Sequence, residues 1–156
     1  MQDKRVRLTV DFKVSFREIT PETVVRMYPA RDLGQVLRDP VRMEDVARQG
    51  RLLRALLDDE EALRGFLACA VVDEVVSGDG DLLRRALGAK GEEEVLWPVI
   101  ERLGGEDVEF YEGARADGGF EEQIELVLFS TPVECLGVRV AEVNEGDDTG
   151  ESDNLR

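Results

Sequence analysis

The segment EDVEFYEGARADGGFEEQIELVLFSTPVECLGVRVAEV, residues 106–143, is where the chain changes its pattern, and the architecture follows from how that change is taken. Before Gly104-Gly105 the apolar residues recur at helical spacing; after it they alternate. Val108 and Phe110 alternate with Glu109 and Tyr111, and Ile124, Leu126 and Leu128 with Glu125, Val127 and Phe129. Leu136, Val138 and Val140 alternate with Gly137, Arg139 and Ala141. A period of two is the strand signature, because successive side chains point to opposite faces. With turns at Gly113–Gly119 and at Ser130-Thr131-Pro132, the three runs predict a three-stranded C-terminal meander.

The other end of the chain carries the same signature. Val6, Leu8, Val10, Phe12, Val14 and Phe16 fall on one face and Arg7, Thr9, Asp11, Lys13, Ser15 and Arg17 on the other, which predicts a long N-terminal strand with its apolar face toward a core. Between these ends the spacing is helical. Thr20-Pro21-Glu22 and Asp39-Pro40 are helix starts: a side-chain oxygen to cap free amides, then proline where no amide is needed. The first opens a helix ending near Tyr28-Pro29; the second opens one running to about Leu57, with Val46, Leu53, Leu56 and Leu57 apolar and Arg42, Arg48, Arg51 and Arg54 toward solvent. Asp58 and Glu61 resemble a capping box before the apolar run from Leu63 to Val76. Short helices are expected over Asp81–Leu87 and Glu92–Leu103, the latter disturbed by Pro98 and closed by Gly104-Gly105.

One strand, about five helices, then three strands is the segregated order of an α+β fold, with helices packed on one face of a mainly antiparallel sheet. The length of 156 residues fits a single domain, assigned to residues 1–143, and the acidic, aperiodic residues 144–156 are expected to be a disordered tail. The longest apolar run, Leu67 to Val72, is far below the ~20 residues needed to span a bilayer, so no membrane partner is expected. Met1–Arg7 lacks a signal-peptide core, which makes a cytoplasmic location the default. Cys69 and Cys135 have apolar neighbours and are expected to be free, buried thiols.

The chemical inventory is narrow. With no histidine among the residues, Ser-His and Cys-His pairs and the HExxH zinc helix are excluded. Gly78-Asp79-Gly80 lacks the third glycine and the preceding strand of a dinucleotide fingerprint, and no GxxxxGK[ST] occurs, so no cofactor is expected. Counting a calcium loop from Asp79 puts Leu83 and Lys90 where ligands should stand, and no metal site is assigned. Carboxylate chemistry is the remaining enzymatic alternative, a metal-dependent hydrolase built on Glu109, Glu112, Glu121 and Glu125 if they converge at the hairpin.

Charge is the stronger signal. The formal charge is −15; residues 1–57 carry 12 Lys and Arg against 8 Asp and Glu, and residues 58–156 carry 8 against 27. From Glu92 to Glu122 there are 11 acids and two bases, Arg102 and Arg115. The acidic face is assigned to Glu92, Glu93, Glu94, Glu101, Glu106, Asp107, Glu109, Glu112, Glu121, Glu122 and Glu125, with Trp97 as a hot spot if it is not simply packing. Acids within a Debye length of each other add to a field that speeds encounter with a basic partner and repels polyanions, so direct nucleic-acid binding is not expected. The strand row Glu121, Gln123, Glu125, Val127 breaks after three positions, too short to imitate a phosphate backbone. These features together imply a non-catalytic, acidic, regulatory protein that docks a basic protein surface, inhibiting or masking a nucleic-acid-handling enzyme or toxin. The non-enzymatic alternative is self-assembly, a homodimer in which the basic early segment of one copy meets the acidic late segment of another.

Overall fold

The computed structural model describes residues 2–75 and 91–144 of the 156. Among them are two β-strands, β1 (Val6–Val14) and β2 (Val133–Glu142), and seven α-helices. The helices are α1 (Pro21–Met27), α2 (Leu33–Leu37), α3 (Pro40–Leu57), α4 (Glu60–Val75), α5 (Glu92–Leu103), α6 (Gly105–Ala116) and α7 (Glu125–Phe129). A 3₁₀ turn, Glu121–Ile124, leads into α7. The Gly78-Asp79-Gly80 segment, the helix expected over Asp81–Leu87 and nearly all of the acidic tail lie outside the described residues.

The chain forms two compact units, one made of its two ends (residues up to Lys13 and from Glu134 onward) and the other of Val14–Val133. The first is an antiparallel ribbon in which β1 pairs with β2, and the Val143 amide donates to the Arg5 carbonyl at 2.8 Å. Lys4 Nζ reaches Glu142 at 2.8 Å. The apolar face predicted for β1 is present as a pattern but only partly covered: Phe12 is half-buried, whereas Val6 is 66% exposed and Val140 on β2 is 68% exposed. Cys135, expected buried, is exposed on β2; neither cysteine is in a disulfide, and Cys69 is buried as expected.

The second unit is helical. Its core gathers Val24 from α1, Val36 from α2, Leu52 and Leu56 from α3, Phe66 from α4, Leu96, Val99 and Ile100 from α5, Tyr111 from α6 and Leu126 and Val127 from α7. Helix α3 is central, packing on α1, α2, α4, α5 and α7. The helix starts are where the capping residues place them. Asp39 Oδ1 accepts from the Val41 and Arg42 amides at 3.0 and 3.3 Å, and Pro40 is the first residue of α3. The α4 cap lies one residue beyond the expected Asp58: Asp59 Oδ1 accepts from the Ala62 amide at 3.0 Å.

The three-stranded meander is not formed, and with it falls the picture of about five helices laid on a four-stranded sheet. Residues 105–116 are helix α6, 121–129 are a 3₁₀ turn and helix α7, and of the three expected strands only the last forms, paired with β1. The physical reason is in the spacing. Asp107, Phe110, Tyr111 and Ala114 stand at i, i+3, i+4 and i+7, all inward, and Phe120, Ile124, Val127 and Thr131 repeat that inward stripe through the next turn. A four-residue alternation such as Val108 to Tyr111 satisfies both periods. The inward Asp107 concealed the helical one, because a carboxylate reads as a surface residue until its partner is known.

Candidate functional site

The arginines of α3 explain why an acid can face inward. Arg51 donates through Nε and a terminal nitrogen to the two oxygens of Asp107 at 2.8 and 2.7 Å, a bidentate pair that ties α3 to α6. This guanidinium holds the Asp107 carboxyl below its usual range. Arg48, predicted to point to solvent, is buried: its guanidinium lies 3.4 Å from the Phe110 ring centroid and donates to Asp45 at 3.1 Å. Arg42 stands 3.7 Å from both Asp45 and Glu125 and lies over the Tyr28 ring, whose hydroxyl donates to Glu125 at 2.6 Å. Burial raises the Asp45 carboxyl against the pull of Arg48 and Arg42. Gln49 completes this seam, its Oε1 accepting from the Leu126 and Val127 amides at 2.8 and 3.2 Å.

Arg42, Arg48 and Arg51 are therefore interior ion-pair partners rather than a solvated basic face. One signal for this was legible: Asp45, Gln49, Leu52 and Leu56 recur at i, i+4, i+7 and i+11, a stripe that places two polar side chains on the buried side of α3.

The eleven acids assigned to one face divide into three groups. Glu93, Asp107 and Glu125 are held by arginines, Glu93 by Arg115 at 2.8 Å. Glu92 hydrogen-bonds the Asp73 carboxyl, and burial foremost, then that contact, raises its pKa. Both line a pocket of about 310 Å³ together with Glu74, Phe66, Cys69 and Thr131. The other seven, Glu94, Glu101, Glu106, Glu109, Glu112, Glu121 and Glu122, are exposed, and none of them makes an ion pair among the described residues.

These seven sit on consecutive elements. Helix α5 ends at Gly104, whose φ of 65° and that of Gly105 at 56° turn the chain straight into α6. The contact between Arg115 in the last turn of α6 and Glu93 in the first turn of α5 makes the two helices antiparallel neighbours. Glu94 and Glu101, seven residues apart, share the outer stripe of α5; Glu106, Glu109 and Glu112, three apart, share that of α6. Both bases in this stretch are occupied, Arg115 by Glu93 and Arg102 by Asp59.

Trp97 is half-buried, with the Arg115 guanidinium 4.6 Å from its ring centroid and the Phe120 ring 6.4 Å away, so it packs α5 against α6 and the turn that follows. Glu109, Glu112, Glu121 and Glu125 do not meet at a hairpin: the first two ride on α6, the third on the 3₁₀ turn, and the last is drawn to Arg42 and Tyr28. Among the described residues no group of three or more Asp, Glu or Cys side chains is placed to hold a metal ion, and no helix is long and apolar enough to cross a membrane. Compared with known proteins, the chain matches no family, no curated protein and no solved structure.

Proposed function

We propose that this protein is a non-catalytic binding protein that docks a basic protein surface through the outer side of α5 and α6, in keeping with masking of a nucleic-acid-handling enzyme or a toxin. The observation that supports it is the set of seven exposed acids that meet no guanidinium among the described residues, in a fold that places arginines against Glu93, Asp107 and Glu125 nearby. Stability does not call for such a row. Like charges three residues apart on a helix destabilise it by about 0.2–0.5 kcal/mol per pair, and Glu109 and Glu112 lie beyond the first turn of α6, where the helix dipole no longer favours an acid. A cationic partner would turn that repulsion into attraction and would be steered to it over about one Debye length.

The test is capture from a native-cell extract on immobilised protein at low and high salt, with wild type beside a variant carrying Glu106→Lys, Glu109→Lys and Glu112→Lys. The reading expects a basic protein that is retained by wild type at low salt, released at high salt and not retained by the variant. A partner held equally by both proteins, or indifferent to salt, would refute it.

A further inference from the structure

A groove of about 340 Å³ on the helical unit runs between the Phe16–Ile19 segment and α3. Its floor is apolar, formed by Phe16, Ile19, Val46, Leu53 and Leu57, and Arg17, Glu18 and Arg54 stand at its edge. The volume is at the small end of the range for small-molecule sites, which pair an apolar lining with a few polar groups.

Two features of this groove, whose Arg17 and Arg54 are exposed, bear on what it could hold. Arg17 and Arg54 have no carboxylate partner among the described residues, whereas Arg42, Arg48 and Arg51 on the same helix as Arg54 each have one. Gly50, which also lines the groove, sits in the interior of the 18-residue helix α3, where glycine costs about 1 kcal/mol relative to alanine. Its φ is not positive, and a Cβ built there would meet only the Arg54 guanidinium at 3.8 Å, an ordinary contact. Neither backbone nor packing requires glycine. Its effect is to leave the groove open by one side chain, directly beneath Arg54.

We infer that this groove binds a small anionic amphiphile: an aliphatic body on the Phe16, Ile19, Val46 and Leu53 floor and a carboxylate between Arg17 and Arg54. Glu18 at the same edge leaves a local charge of +1, which suits a monoanion better than a polyanion. The reading is independent of the acidic docking surface on α5 and α6.

Decanoate and its uncharged analogue decanol are the probes, followed by calorimetry and by amide shifts in NMR spectra of the full chain. Decanoate is expected to bind about tenfold more tightly than decanol, the loss that follows from removing a charge-assisted hydrogen bond, with shifts centred on Phe16–Ile19 and Gly50. Gly50→Ala is expected to raise the Tm of the free protein while weakening decanoate severalfold, a pair of effects that damage to the fold cannot produce. Gly50→Leu should abolish binding with the helical circular dichroism retained, and Arg54→Gln should erase the preference for decanoate over decanol. Equal affinity for the two probes, shifts that map away from the groove, or undiminished binding by Gly50→Ala and Gly50→Leu would overturn the assignment.

Discussion

The seam between α3, α6 and α7 and the outer side of α5 and α6 are built from the same residue types and use them in opposite ways. In the seam each acid meets a guanidinium or a hydroxyl: Asp107 meets Arg51, Asp45 meets Arg48, and Glu125 meets Arg42 and Tyr28. On the outer side Glu106, Glu109 and Glu112 follow one another with no base to receive them among the described residues. Net charge alone does not distinguish these regions. What separates them is whether a distant part of the described chain supplies the opposite charge; the first region serves folding, and the second is the one we propose for recognition.

Substitutions in the seam should therefore act on stability. Gln49→Leu is expected to have the largest effect, because it strips the acceptor from the buried Leu126 and Val127 amides; a loss of about 3 kcal/mol in urea unfolding is expected. Asp107→Ala should cost about 2 kcal/mol, less than a fully buried pair because Arg51 is partly exposed. Its pH dependence has a definite sign. Arg51 lowers the Asp107 carboxyl in the folded state, so the pair's contribution is complete above the ordinary Asp range and is lost as pH falls through the folded value. The wild-type advantage over Asp107→Ala should shrink in acid.

Glu92→Gln should do the reverse, on a smaller scale. Burial and Asp73 raise the Glu92 carboxyl, so the folded state favours its proton and loses stability as pH rises through that value. The glutamine variant should be more stable than wild type near pH 7, by no more than about 1 kcal/mol, and indistinguishable from it well below the ordinary Glu range. Smallest of all, Glu106→Lys, Glu109→Lys and Glu112→Lys should each move stability by no more than about 0.5 kcal/mol, while together removing association.

The contrast also shows what a sequence can and cannot reveal. Helix α3 was legible from Asp39-Pro40 and α5 from its closing glycines, because caps and turns are decided by neighbours in the chain. The strand alternation at both ends was legible too, and β1 does pair with the last strand. Helices α6 and α7 were not, since the inward position of Asp107 depends on Arg51, 56 residues earlier. The same long-range dependence divided the eleven acids: their number was readable, but which of them an arginine would neutralise depended on the packing of α3 and of α5 against α6.

The central claim is that location, not total charge, makes the α5 and α6 surface a docking site. Two triple variants separate these causes: Glu106, Glu109 and Glu112 to glutamine, and Glu22, Asp58 and Glu61 to their amides, each moving the formal charge from −15 to −12. Their affinity for an oligolysine of about 20 residues, measured at low salt by calorimetry, is the decisive quantity. The account predicts that the α6 variant loses most of the wild-type affinity and that the dispersed variant keeps it. Equal losses in the two variants would contradict it, and would make the acidity a property of the whole molecule rather than of one surface.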